Sequence, residues 1–238
     1  MPPLFSPATI SDAFDWAIQI LDSKEIVSPQ TEIEWLLTDL LDSSRADLYL
    51  LRHEYLTPSQ HCKFQNAVYQ RKIRIPLQHI LGKTEFFSLP FKIDSKVFIP
   101  RPETEILVEN LVDRLKDHSS IRILDLGTGS GVIAVALAHN LPNCKVVASD
   151  LSTEALRIAK ENACLNQVDR FLTFVRGNLL SPFPLRPTFH AIASNPPYIP
   201  TDILLTLQPE IWKFEPHPAL DGGPDGLLYS KIIIEQAS

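Results

Sequence analysis

The stretch Ile121-Arg122-Ile123-Leu124-Asp125-Leu126-Gly127-Thr128-Gly129-Ser130-Gly131, followed by the helical run Val132 to Asn140, reads as strand, glycine loop and helix. A short apolar run bounded by glycines predicts a buried strand. The loop after it would bring backbone N–H groups and a helix N-terminus up to a ligand. The dinucleotide fingerprint requires glycine at position 132, which here is Val132. The glycines instead run 127, 129, 131, and Thr128 and Ser130 complete a candidate cofactor loop. Asp125 at the strand end would repel a pyrophosphate and suit a cationic ligand such as an ammonium or a sulfonium.

Working outward, the next apolar run, Lys145 to Ser149, ends in Asp150, where an acid would accept both hydroxyls of an adenosine ribose. A third, Phe171 to Val175, ends in Arg176-Gly177-Asn178-Leu179. There Asn178 could bond the adenine amino edge while Leu179 packs on the ring. A fourth, His190 to Ser194, ends in Asn195-Pro196-Pro197-Tyr198. Strand and helix patterns alternate from residue 105, which predicts an α/β, Rossmann-like parallel sheet with its ligands at the carboxyl ends of the strands. Asp125, Asp150, Asn178 and Asn195 all fall at such ends.

Proline fixes φ and pushes the residue before it into extended geometry, so Asn195, Pro196 and Pro197 keep little conformational freedom. Two prolines lack N–H groups, so the loop offers acceptors and very few donors. A planar NH2 group matches that surface. Asn195 Oδ1 and the Pro196 carbonyl could accept its two N–H bonds while Tyr198 covers its flat face. Asn195, Pro196, Pro197 and Tyr198 are thus the candidate catalytic and substrate-binding residues, with Asn195 also beside the cofactor.

The chain has 238 residues, 45% of them hydrophobic, enough for one large or two modest domains with a real core. Its net charge of −6 supplies no general attraction to nucleic acid or anionic membrane. No apolar run approaches the roughly 18 residues of a spanning helix, so a cytoplasmic protein is expected. Cys62, Cys144 and Cys164 are odd in number and widely spaced, which indicates neither zinc nor a disulfide framework and predicts core thiols. The first 75 residues read as amphipathic helices opening at Thr9, at Ser28-Pro29, at a capping box Ser44-x-x-Asp47 and at Thr57-Pro58. That module has seven basic and ten acidic residues, 7 − 10 = −3, and no catalytic constellation. Exposed aromatics would mark it as a docking module rather than a structural cap.

These motifs together resemble the class I S-adenosylmethionine-dependent methyltransferases, specifically the HemK/PrmC family that methylates a glutamine side-chain amide in peptide chain release factors. The resemblance is carried by Pro76-Leu77-Gln78-His79-Ile80-Leu81-Gly82 with Glu85-Phe86-Phe87, by Phe98-Ile99-Pro100-Arg101-Pro102-Glu103-Thr104-Glu105, by the glycine loop and Asn-Pro-Pro-Tyr, and by Leu220-Asp221-Gly222-Gly223 with Asp225-Gly226-Leu227. It implies S-adenosyl-L-methionine as cofactor and a class 1 release factor as protein substrate, with no membrane and no direct nucleic-acid partner. It implies a release-factor-docking helical domain at 1–75, a β-hairpin linker at 76–104 and the methyltransferase domain at 105–238. Glu103 and Glu105 would either position the methionine ammonium or cap the following helix. A class I sheet has seven strands, whereas four are readable after residue 120. The sequence therefore predicts an incomplete C-terminal half, an exposed fourth strand, and a helix from Gly226 with Ile232, Ile233 and Ile234 to be covered. Two alternatives are open at this point: an N-methyltransferase acting on an amino group of a nucleic acid base, and an inactive truncated fragment.

Overall fold

The computed structural model describes residues 7–22, 26–183 and 189–237. It divides into two compact units, Met1–Leu81 and Gly82–Ser238.

The first unit is helical: α1 (Ile10–Leu21), α2 (Pro29–Leu41), α3 (Arg45–Leu51), α4 (Pro58–Lys72) and α5 (Leu77–Leu81). Three of these start with reciprocal capping boxes, Thr9 with Asp12, Ser44 with Asp47 and Thr57 with Gln60, which satisfy backbone donors that a helix start leaves open. Pro29 and Pro58 occupy first-turn positions where a missing N–H costs nothing. The apolar stripes meet in one core around Trp16, Ile33, Leu37, Phe64 and Val68. Buried Arg71 of α4 grips both carboxylate oxygens of Glu32 on α2. Residues 77–81, which fall within the expected linker, form a helix of this unit.

The second unit opens with an antiparallel hairpin, β1 (Lys83–Phe86) and β2 (Leu89–Lys92). Its turn places Phe87 and Ser88 at φ 52° and 58°, a left-handed pair that hairpins ordinarily build from Asn-Gly. The Phe87 N–H donates to Glu105 Oε1 at 2.7 Å. Glu105 is therefore engaged with the hairpin, a use that neither sequence reading of it included. Next come α6 (Glu103–Leu115), β3 (Ile121–Leu126), α7 (Val132–Asn140), β4 (Cys144–Asp150), α8 (Thr153–Leu165), β5 (Leu172–Arg176), β6 (Ala191–Ser194), α9 (Pro209–Phe214) and α10 (Leu228–Ala237). The four-stranded sheet is parallel throughout, in the order β5-β4-β3-β6. Every residue of α7 from Val132 to Ala138 is buried, as its continuous apolar sequence requires.

The chain builds outward from β3 to β4 and β5, then returns to lay β6 on the other side of β3. The order thus reverses between β3 and β6, where ligands of such sheets bind. Among the described residues β6 is the last strand on its side; Ala193 is buried, and Ala191, Ile192 and Ser194 are half-buried. No residue of α10 is buried, and Ile234 is well exposed. Cys144 is in the core as expected. Cys62 and Cys164 are not: both are exposed, on the outer faces of α4 and α8.

Fully buried Asn162 of α8 joins the hairpin to the glycine loop. Its Oδ1 accepts from Lys92 N–H at 2.7 Å, and its Nδ2 donates to the carbonyls of Lys92 and Ser130 at 3.0 and 2.8 Å. Asn162→Leu fills the space but strands these backbone groups. The substitution is expected to cost about 2–3 kcal/mol, read as a lower urea midpoint for the second unit; an unchanged midpoint would show that water replaces the amide without loss.

Candidate functional site

Direct hydrogen bonds join the strand ends at the switch point. Gly129 N–H donates to Asp150 Oδ2 at 2.9 Å, linking the loop after β3 to the end of β4. Thr128 N–H donates to the Ser149 carbonyl and Gly177 N–H to the Asp150 carbonyl, at 2.9 and 3.0 Å. On the other side Ser194 Oγ donates to the Leu126 carbonyl at 2.8 Å, setting Asn195 beside the glycine loop.

Asp150 keeps lone pairs for further donors although its Oδ1 accepts from Ser152 N–H at 2.8 Å. A Cβ added at Gly127 or Gly129 would meet nothing within 4 Å, so this part of the loop borders open space where a nucleoside can approach the backbone. Gly131 serves a different purpose. Its φ is 85°, and a Cβ there would lie 2.9 Å from the Ala159 Cβ, so α8 packs against the bare backbone. Asn178 is exposed after β5, and Leu179 beside it has a φ of 47°. A leucine in that region is strained, and such strain clusters at ligand sites.

Asp125 is placed differently from the expectation. Its carboxylate is 0% exposed and turns inward, so it presents no face to a cationic ligand. Oδ2 accepts from Thr128 Oγ at 2.6 Å and from Ala134 N–H at 3.2 Å, while Oδ1 has no partner among the described residues. The acid acts through the loop, pinning Thr128 and the first turn of α7. Thr128 and Ser130 are buried too, which leaves backbone groups as their offering to a ligand.

The acceptor loop after β6 presents Tyr198 at 55% exposure and half-buried Asn195, Pro196 and Pro197. Asn195 Nδ2 donates to Thr104 Oγ1 at 3.1 Å, with Oδ1 as the free end of the amide. Thr104 is buried at the start of α6, immediately after the Phe98–Pro102 segment. Beyond Tyr198 the chain is braced by residues 220–226. Ile199 N–H donates to the Leu220 carbonyl, Gly222 N–H to the Ile199 carbonyl and Thr201 N–H to the Gly223 carbonyl, all between 2.8 and 3.1 Å. Gly226, at φ 72°, lies so close to the Tyr198 carbonyl that any Cβ would collide with it.

One buried carboxylate escaped the sequence reading. Glu215, 4% exposed, accepts from Ile99 N–H at 3.1 Å and from Arg101 Nη2 at 2.5 Å. Burial pushes its pKa above the usual value, against the pull of Arg101 and the Ile99 N–H. Arg101 also donates to the Ile99 carbonyl and lies 4.5 Å from the Phe98 ring centre. Glu215 is the second acid of the segment Glu210-Ile211-Trp212-Lys213-Phe214-Glu215, and nothing local in the sequence sets it apart. Among the described residues no group of three or more potential metal ligands is present.

The family model described as the PrmC N-terminal domain matches residues 12–82, and that of the methyltransferase small domain matches residues 101–203. The chain is 40% identical over 229 residues to the release factor glutamine methyltransferase of Geobacter sulfurreducens, covering 96% of this chain and 79% of that protein. It is 40% identical over 231 residues to the protein of the same name from Moorella thermoacetica, covering 97% and 81%. With its counterpart from Coxiella burnetii the identity is 42% over 210 residues, covering 88% and 74%. Among solved structures, the hMettl16 catalytic domain in complex with MAT2A 3'UTR hairpin 6 is similar with a TM-score of 0.51 and 17% identity, over 76% of this chain and 63% of that one. That likeness establishes the class I methyltransferase fold.

Burial pushes the Asp125 pKa from 3.8 up to about 7, with repulsion from Asp150 adding to it and the bonds from Thr128 and Ala134 opposing it. Between those two values the folded state holds a proton that the unfolded chain releases, so stability falls as pH rises from about 4 to 7 and levels off above. Asp125→Asn keeps an acceptor for Thr128 and Ala134 but cannot ionise. Its urea midpoint is expected to gain on the parent's between pH 5 and pH 8; parallel midpoints would mean that the acid is already ionised at pH 5.

Proposed function

The chain belongs to the release factor glutamine methyltransferase family, and on that footing we propose that it methylates the side-chain amide nitrogen of the glutamine in the Gly-Gly-Gln motif of a class 1 peptide chain release factor. The observation that carries the reading is the pairing of two loops at one switch point: a glycine loop open to a nucleoside after β3, and a loop rich in acceptors and poor in donors after β6. S-adenosyl-L-methionine supplies, when bound, an electrophilic methyl carbon on a positively charged sulfur.

Around that group the chain's own residues bind and orient. Asp150 accepts the ribose hydroxyls through lone pairs that its contacts with Gly129 and Ser152 leave over. Asn178 takes the adenine amino edge, and the strained turn at Leu179 directs an apolar side chain to the ring. Gly127, Thr128, Gly129, Ser130 and Gly131 contribute backbone, held in shape by Asp125. Asn195 Oδ1 and the Pro196 carbonyl accept the two N–H bonds of the substrate amide, Pro197 stiffens the loop and Tyr198 covers the amide face. An amide nitrogen is a poor nucleophile because its lone pair is delocalised. Alignment must therefore provide much of the rate, and a loop with two prolines, braced from behind by Gly222 and Gly226, is suited to that task.

The protein amide is favoured over a nucleobase by the relatives' names, and the acidic balance of the first 75 residues agrees. In the first unit Trp35, Tyr49, Leu50 and Tyr55 are exposed, which supports a docking role for that module. Among the described residues no helix is long and apolar enough to cross a membrane, and a translation-related substrate favours the cytoplasm.

The deciding experiment is mass spectrometry of a release factor fragment bearing the Gly-Gly-Gln loop after incubation with this chain and S-adenosyl-L-methionine. One added methyl on the glutamine is expected, and Asn195→Ala should slow transfer by about ten- to a hundred-fold, the equivalent of about 1–3 kcal/mol for a stranded N–H. Methylation of RNA but not of the fragment would overturn the substrate, and a parental rate in Asn195→Ala would overturn the acceptor assignment.

A further inference from the structure

Glu215 lies outside both loops, yet hydrogen bonds connect it to each end of the acceptor loop. On the Asn195 side, Glu215 accepts from Ile99 N–H and Arg101 Nη2. Thr104 N–H then donates to the Arg101 carbonyl at 3.0 Å, and Thr104 Oγ1 accepts from Asn195 Nδ2. On the Ile199 side, the chain leaving Glu215 turns through His217, whose carbonyl accepts from Leu220 N–H at 3.0 Å, and the Leu220 carbonyl accepts from Ile199 N–H at 3.1 Å. Asn195 to Ile199 is thereby one arc of a closed circuit, and the buried carboxylate is where the circuit shuts.

We propose that Glu215 is a positioning residue for methyl transfer, which acts through Arg101 and Thr104 to hold the Asn195 amide with its oxygen toward the acceptor nitrogen. The inference rests on the reading of Asn195 as the amide-binding residue. Two features favour positioning over mere packing. First, the carboxylate binds both a main-chain N–H and the guanidinium of one short segment, fixing where it lies as well as that it is close. Second, Arg101 is restrained on three sides, by Glu215, by the Ile99 carbonyl and by the Phe98 ring, so little slack remains between Glu215 and Thr104. Thr104 Oγ1 occupies the Nδ2 end of Asn195, which leaves Oδ1 as the end available to a substrate donor. None of these contacts includes the glycine loop, so the circuit governs the acceptor half of the site.

The test uses the full chain. In Glu215→Gln an NH2 can face the Arg101 guanidinium, donor against donor. Its kcat for the Gly-Gly-Gln fragment is expected to fall about ten- to a hundred-fold, as for a displaced reacting group, with the KM for S-adenosyl-L-methionine near the parent's. Combined with Asn195→Ala, Glu215→Gln should add no further loss, because it works through that residue. Thr104→Val should reproduce the kcat loss and Thr104→Ser should restore it, which keeps the test available if Glu215→Gln fails to fold. A readout independent of substrate is the Asn195 side-chain amide resonance, identified by its absence in Asn195→Ala; it should move in Glu215→Gln and in Thr104→Val. Parental kcat in folded Glu215→Gln and Thr104→Val, or losses that multiply with Asn195→Ala, would overturn the proposal. An unmoved Asn195 resonance in both variants would overturn it even if the parent chain methylated nothing, an outcome that would separately defeat the functional reading.

Discussion

The site depends on β3 being paired in parallel on both sides. Leu126 lies opposite Ser149 of β4 and opposite Ser194 of β6, so three strands end level with one another and three loops leave from the same edge. A slip of one residue in either ladder would exchange the two faces of a strand and misfit the side chains packed on each, so the register is enforced by the core itself. Ile123, Val146, Ala148 and Ala193 lie in that core, and helices such as α7 press on it. The chemistry at the edge is thus located by apolar packing that takes no part in it.

What packing cannot do is aim the loops, and here buried polar groups take over. Asp125 holds the glycine loop from beneath, Asn162 ties the same loop to the hairpin, and Glu215 secures the segment before α6. Each is desolvated, and for the two acids a buried charge is a poor source of stability even when paired. Asp125 and Glu215 both have carboxyl groups pushed upward by burial, the signature of acids retained at some energetic cost. Their common feature is that each accepts from a backbone N–H of a segment bordering the site, Asp125 from Ala134 at the start of α7 and Glu215 from Ile99. Hydrogen bonds of that kind carry direction, which apolar contacts lack.

The parts of this arrangement that were legible in the sequence are those encoded locally. Strand, glycine loop and helix follow one another without a break, two prolines stiffen their own loop, and Ser44-x-x-Asp47 caps its own helix. The roles of Thr104, Asn162 and Glu215 were not legible, for the opposite reason. Their partners Asn195, Lys92 and Ile99 lie 91, 70 and 116 residues away, and periodicity cannot see across such distances. Asp125 was located correctly at a strand end but aimed wrongly. The pleat sends its side chain inward, where the hydroxyl of Thr128 in the glycine loop and the Ala134 N–H of α7 receive it. Glu105 was read either as a partner of the methionine ammonium or as a cap of the following helix, and its carboxylate accepts from the hairpin turn at Phe87. Cys62 and Cys164 were assigned to the core by residue type, although each lies on the outward face of its helix.

The two halves of the edge are stiffened by different means, and on the proposed function the difference follows from what each would hold. A nucleoside is large, and it can be gripped by dispersed contacts with bare backbone, a ribose acceptor and an apolar ring platform. A primary amide offers two N–H bonds and a flat face, so discrimination rests on a few acceptors whose directions must be right before the substrate arrives. Proline restrains the main chain of the acceptor loop but has no hold on the Asn195 side chain, which can rotate about two bonds. Something outside the loop must fix that rotation, and the hydroxyl of Thr104 is the group in contact with it. Thr104 is itself only as fixed as the turn from Ile99 to Pro102, which two prolines stiffen and one carboxylate anchors. The restraint of a single amide oxygen is thereby transferred, step by step, to a buried acid more than a hundred residues away in sequence from the backbone it binds.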